Sequence, residues 1–213
     1  MHFREILNTK KGTGIELLLF FIVALSTLPL TIQATILVPI AIISLEVRKT
    51  EWKEIGFSFK DFTLKKIFFG IVVAILYSLS DQYLFSPIIS KFSSSGLPEI
   101  FSMKGNVTKL VIGLLLSWTT AAFFEELLFR GYLVNRLADY LGETKLTNII
   151  IALLSGIAFG FVHAYQGLHG AIFAGVFGVF QAIIYFIDDK KITIPIIAHG
   201  TFDTIGFTSM FIG

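Results

Sequence analysis

Between Leu17 and Leu45 the chain has no charged side chain, within an apolar stretch that runs from Ile15 to Glu46. As one helix that stretch would extend about 48 Å at 1.5 Å per residue, against a bilayer hydrocarbon core of roughly 30 Å. Pro29, flanked by Thr27, Thr31 and Gln33, supplies a break. A tight hairpin of two short spans is therefore expected, with one long tilted or kinked helix as the alternative. Further apolar runs follow near Ile67–Leu84, from Val107 to about Tyr140, and over Leu146–Ala164, His169–Ile187 and Ile192–Phe211. The pattern predicts an all-α, polytopic transmembrane bundle of about seven spans, with the site buried between the C-terminal helices. With 54% hydrophobic residues, 15% charged and a mean hydropathy of +0.80, the chain is more apolar than a soluble domain of 213 residues needs.

The N-terminus has Arg4, Lys10 and Lys11 before its apolar run, and Ala24-Leu25-Ser26 weakly imitates a cleavage site. Because the apolar character continues to Leu45, an uncleaved first span is expected rather than a signal peptide. Residues 47–66 mix Trp52, Phe57, Phe59 and Phe62 with six basic residues, which suits either a segment at the membrane surface or a solvated loop. Residues 86–106, with Ser93-Ser94-Ser95-Gly96, are expected to form a loop, and Gly142 is a plausible stop for the long fourth helix. Gly156 and Gly160 form a small-xxx-small pair suited to close helix packing. With a cytoplasmic N-terminus, the N-terminal cations, those of 47–66, Arg136, Lys145, Lys190 and Lys191 fall inside. Only Lys91, Lys104 and Lys109 fall outside, with Arg130 in a span, a strong positive-inside bias. There is no cysteine, so disulfides and thiolate metal sites are excluded. One membrane domain is expected, with residues 1–106 as its N-terminal spans and basic segment and 107–213 as its chemical core.

Three polar constellations interrupt the C-terminal half. Residues 123–131 read Phe-Phe-Glu-Glu-Leu-Leu-Phe-Arg-Gly, placing Glu125, Glu126 and Arg130 in a helix apolar enough to cross a bilayer. Charges at that depth are costly and usually mark function. Glu126 and Arg130 are spaced i,i+4 and can pair, whereas Glu125 lies about 100° around the helix. A division follows: a structural Glu126–Arg130 pair, with Glu125 left for chemistry. The competing reading is one buried structural network. Downstream, Phe159 and His163 share a helix face, as do His199 and Asp203. Singly, each histidine is weak evidence; together, four polar groups on apolar helices are better buried in company than apart. His169, beside Gln166 and Gly167, reads as a loop or cap residue, and Asp188-Asp189-Lys190-Lys191 as a solvated turn.

Glu-Glu-x-x-x-Arg at 125–130, Phe-x-x-x-His at 159–163 and His-x-x-x-Asp at 199–203, in that order on successive apolar helices, resemble the CPBP family. This family contains the type II CAAX prenyl endopeptidases and bacterial bacteriocin-processing or self-immunity membrane proteins. The resemblance covers the chain from about Val107 onward, includes the Pro-Ile-Ile-Ala-His context, and at this length is similar to the bacterial members. It implies an intramembrane endopeptidase in a bacterial cell membrane, acting on a peptide or membrane-protein substrate within the bilayer, with no nucleic acid involved. By motif position, Glu125 would be the general base that activates water, His163 would help hold that water, and His199 and Asp203 would stabilise the oxyanion. Glu126, Arg130 and Phe159 would support them.

Where prenyl endopeptidases have an asparagine donor, this chain has Asp203, which when ionised cannot donate to an oxyanion. It must be protonated, orient His199 or contact a metal. A site without cofactor is preferred, yet Glu125, His163 and His199 are alternative zinc ligands, although the His-Glu-x-x-His signature is lacking. Depth poses a further question. His199 lies about 10 Å into its helix and His163 about 27 Å from Lys145. Convergence would require the fifth helix to start in the cytosol or residues 164–169 to dip into the membrane. Two other readings stand: a non-proteolytic scaffold or bacteriocin-immunity factor, and a small transporter whose buried acids relay ions, disfavoured by the absence of internal repeats.

Overall fold

The computed structural model describes residues 2–92 and 103–213, with side chains from Arg4 onward; Ser93–Gly96 of the expected loop lie outside this set. The described chain is helical, without strands. In chain order, α1 is His2–Leu7, α2 Lys10–Ala24 and α3 Leu30–Arg48. They are followed by α4 (Leu64–Ile89), α5 (Val107–Leu141), α6 (Lys145–Val162), α7 (Gly167–Ile187) and α8 (Thr193–Ile212). Among the described residues five helical segments are long and apolar enough to cross a bilayer: α3, α4, α5, α6 and α7 with the turn that precedes it. The expected count of seven also needs α2 and α8, which do not meet that standard. Burial is arranged as lipid demands. Phe68, Leu115 and Leu146 are exposed, whereas Glu126, Arg130 and Gln181 are sealed inside.

The 15–46 stretch folds as the expected hairpin, α2 ending at Ala24 and α3 starting after Pro29. Gln33 closes the turn by donating from Nε2 to the Ser26 carbonyl at 2.9 Å. At the hairpin's open end the guanidinium of Arg48 pairs with Glu16 at 2.6 Å, and Glu16 also accepts from the Tyr132 hydroxyl at 2.8 Å. This fastens the N-terminal helices to α5, where Phe20 packs on Phe129 and Tyr132.

Residues 47–66 are neither a free loop nor a simple surface segment. Ile55 is buried, Phe57 packs edge-on against Phe123 of α5, and the Gly56 carbonyl accepts from Ile192 N at 3.0 Å, while Trp52 and Phe59 stay exposed. The 188–191 turn is likewise more than solvated. Asp188 pairs with Lys66 at 2.7 Å, and Lys190 with Glu143, drawing α4, α5 and α7 together at one end.

Two close approaches position the site helices. A Cβ at Gly160 would lie 2.6 Å from the Ala171 carbonyl, and one at Gly156 2.7 Å from the Gly175 carbonyl, so α6 and α7 meet backbone to backbone. A Cβ at Gly200 would lie 2.6 Å from the Trp118 ring. Glycine there lets α5 lie on α8, and Trp118 Nε1 donates to Thr204 Oγ1 at 3.1 Å across the contact. Helix α5 ends as expected at Gly142, whose φ of +81° suits glycine and whose N–H reaches back to Ala138 O at 2.8 Å.

Candidate active site

Helix α5 carries the two adjacent carboxylates through an unusual winding. Ser117–Glu125 and Leu127–Val134 are π-helical, with hydrogen bonds reaching one residue further back than in an α-helix. Such winding is rare and concentrates at functional sites. No residue propensity announces it, so the sequence suggested an ordinary helix.

Glu126 is fully enclosed, and its hydrogen bonds gather on one oxygen. Arg130 approaches both of its oxygens, Nη1 at 3.2 Å from Oε1 as a hydrogen bond and Nε at 3.1 Å from Oε2 as an ion pair outside hydrogen-bond geometry. Arg130 Nη2 donates to the Gly178 carbonyl at 3.1 Å, and its guanidinium lies 5.0 Å above the Phe159 ring. The expected i,i+4 pair is present, and it has a further partner. His199 Nδ1 sits 2.8 Å from Glu126 Oε1. Glu126 therefore joins α5 to α8 and orients an imidazole, a role the spacing did not indicate.

Glu125 differs from its neighbour. Its Oε2 is buried with no hydrogen-bond partner among the described residues, and His163 Nε2 lies 3.9 Å from it. His163 caps the end of α6, and its Nδ1 lies 2.8 Å from the Phe159 carbonyl. A carbonyl only accepts, so Nδ1 bears a proton, and Nε2 faces Glu125, where a neutral ring would present a lone pair.

Asp203 lies beyond His199 on α8, with Oδ2 3.8 Å from His199 Nε2. The same oxygen accepts from the Ser117 hydroxyl at 2.7 Å. Ser117, buried on α5, belongs to the site and was missed; lying eight residues before Glu125, it has no motif of its own. Gln181 was missed for the same reason. Its Nε2 donates to the Pro195 carbonyl at 2.8 Å, setting α7 against the first turn of α8.

Phe159 unites the constellation. Its ring centroid is 4.5 Å from that of His163 and 6.1 Å from that of His199, and Phe177 flanks His199 at 5.1 Å. The two imidazoles thus converge on one aromatic floor, with α6 ending at Val162 and residues 164–166 forming a single tight turn. His169 stands apart, in the first turn of α7 rather than in a loop, with Nε2 3.3 Å from Ser86 Oγ.

Each site imidazole leaves Nε2 available with Nδ1 anchored, as metal-bound histidines usually do. Glu125, His163 and His199 nevertheless do not close into a ligand set. Among the described residues no group of three or more His, Cys, Asp or Glu side chains is near enough to hold a metal ion.

Residues 107–205 match the family model described as Type II CAAX prenyl endopeptidase Rce1-like. The matched segment holds all three motifs and excludes α1–α4. No curated protein and no solved structure matches the chain. With its apolar helices, the match identifies an integral, multi-pass membrane protein.

Proposed function

We propose, from the match of residues 107–205 to the Type II CAAX prenyl endopeptidase Rce1-like model, that the chain is a CPBP-family intramembrane endopeptidase using water activated by Glu125. The observation that carries this is the asymmetry of two adjacent carboxylates. Glu126 Oε1 takes hydrogen bonds from both Arg130 and His199 and its Oε2 is ion-paired with Arg130 at 3.1 Å, whereas the Glu125 carboxylate forms no hydrogen bond among the described residues and faces His163 at 3.9 Å. A carboxylate so placed is available to a water molecule, and the lone pair on His163 Nε2 gives that water a second point of attachment.

In the proposed reaction Glu125 takes a proton from the water as its oxygen adds to the scissile carbonyl carbon. The resulting oxyanion is met by His199, which in its doubly protonated form donates from Nδ1 to Glu126 and from Nε2 to the oxyanion. Asp203, an acceptor from Ser117, orients and charge-balances His199 rather than donating. Glu125 then returns its proton to the leaving amine as the C–N bond breaks. No step passes through a metal. The substrate is a peptide bond in a membrane-associated or secreted peptide, and the host a bacterial cell membrane with the N-terminus on the cytoplasmic side.

The test is purified protein in liposomes, offered a pool of membrane-associated peptides with and without a strong zinc chelator. Cleavage that persists in the chelator is expected. Cleavage abolished by chelation and restored by zinc would contradict the metal-free chemistry. Saturable peptide binding without any cleavage would replace this reading with the scaffold or immunity one.

A further inference from the structure

A cavity of about 770 Å³ opens where the N-terminal hairpin meets the end of α5. Among the described residues it is lined by Arg4, Lys10, Arg48, Lys49 and Arg136, against two carboxylates, Glu54 and Asp139. Along α5, Arg136 is roughly 15 Å from Glu126, so this is a place distinct from the candidate active site.

The state of each cation decides what the cavity can do. Arg48 is saturated by Glu16, Asn8 and Ser44, and forms a neutralised floor. Lys10 lies 5.5 Å over the Tyr140 ring. Among the described residues Arg4 reaches only the Arg48 carbonyl, at 3.4 Å, and Lys49 has no carboxylate partner. Arg136 is the most telling. It is only 8% exposed, pairs through Nη1 with the half-exposed Asp139 at 3.0 Å, and leaves its Nε buried without an acceptor. An enclosed guanidinium with an unused donor is costly unless an acceptor completes it. On the other side, the Glu54 carboxylate is turned back to accept from Glu51 N at 2.7 Å.

We infer that this cavity is a phosphate-recognition site, in which Arg136 supplies fork-like donors and Arg4 and Lys49 supply flanking charge. Its size leaves room for more than a bare phosphate and suits a glycerophosphate headgroup. Its cations lie at the ends of the apolar helices α2 and α3, where a basic cluster suits an anionic headgroup. The shared chemistry is a phosphate mono- or diester, from an anionic phospholipid or from solution.

The experiment uses the full chain in nanodiscs of phosphatidylcholine with increasing phosphatidylglycerol, reading lipid retained per protein by native mass spectrometry. A parallel titration of detergent-purified protein with inorganic phosphate is followed by calorimetry. The comparison variant is Arg4→Gln/Lys49→Gln, which alters two cations outside the bundle core; Arg136→Lys, keeping charge but losing the fork, is the second. One saturable phosphatidylglycerol per chain, weakened about tenfold or more in the double variant, supports the lipid source. Saturable phosphate binding with the same sensitivity, without lipid retention, supports the soluble source. Absence of saturable binding to either, or binding that neither variant weakens, would overturn the inference.

Discussion

His199 Nδ1 lies 2.8 Å from Glu126 Oε1, across 73 residues of sequence, and Glu126 is at the same time the partner of Arg130. One carboxylate thus pairs with a buried guanidinium and fixes a ring on another helix, which leaves its neighbour Glu125 free of structural duty. Glu126→Gln should strand a buried charge and cost about 3–5 kcal/mol, whereas Glu125→Gln should change stability by less than about 1 kcal/mol, as it breaks no hydrogen bond within the protein. Thermal unfolding of both variants in the same detergent measures this. Equal destabilisation would refute the division of labour.

Ser117 tests the placement of Asp203. Removing its hydroxyl leaves Asp203 Oδ2 without the 2.7 Å donor that holds it towards His199. Ser117→Ala should lower kcat about tenfold, equivalent to roughly 1.4 kcal/mol of transition-state stabilisation, with KM nearly unchanged; Ser117→Thr should restore much of the loss. A KM effect alone would make Ser117 a substrate contact instead.

The backbone contact between α6 and α7 is predicted to be intolerant of bulk. Gly160→Val must displace the Ala171 carbonyl and Gly175, at about 1–3 kcal/mol of overpacking, and it should shift His163, one turn away. A fall in both unfolding temperature and cleavage rate is expected. Wild-type behaviour would show that the helices can separate at no cost.

Much of this architecture was legible in the sequence. The length of the 15–46 stretch and Pro29 gave the hairpin, the i,i+4 spacing gave Glu126–Arg130, and Gly142 gave the end of α5, because each depends on local geometry. The contacts that complete the site do not. Glu126–His199 and Ser117–Asp203 join residues more than 70 positions apart, and the π winding of α5 leaves no compositional trace. Glu16–Arg48 lies between. The two charges border the same apolar stretch, so a hairpin makes their meeting plausible, but only packing against Tyr132 shows that Glu16 is buried.

That pair gives its own prediction. Arg48→Met or Glu16→Gln alone should each cost about 3–5 kcal/mol by stranding a partner, while the double variant should recover most of the loss. Additive losses from the two substitutions, measured by denaturant unfolding, would mean that they do not act as a pair.

The most direct measurement is the cleavage rate of a processed peptide by reconstituted wild-type and Glu125→Gln protein, with folding verified for both. The variant should lose at least about a hundredfold in kcat, the minimum expected when a general base is removed, while still binding the peptide. Retention of the wild-type rate by Glu125→Gln would show that another group activates the water.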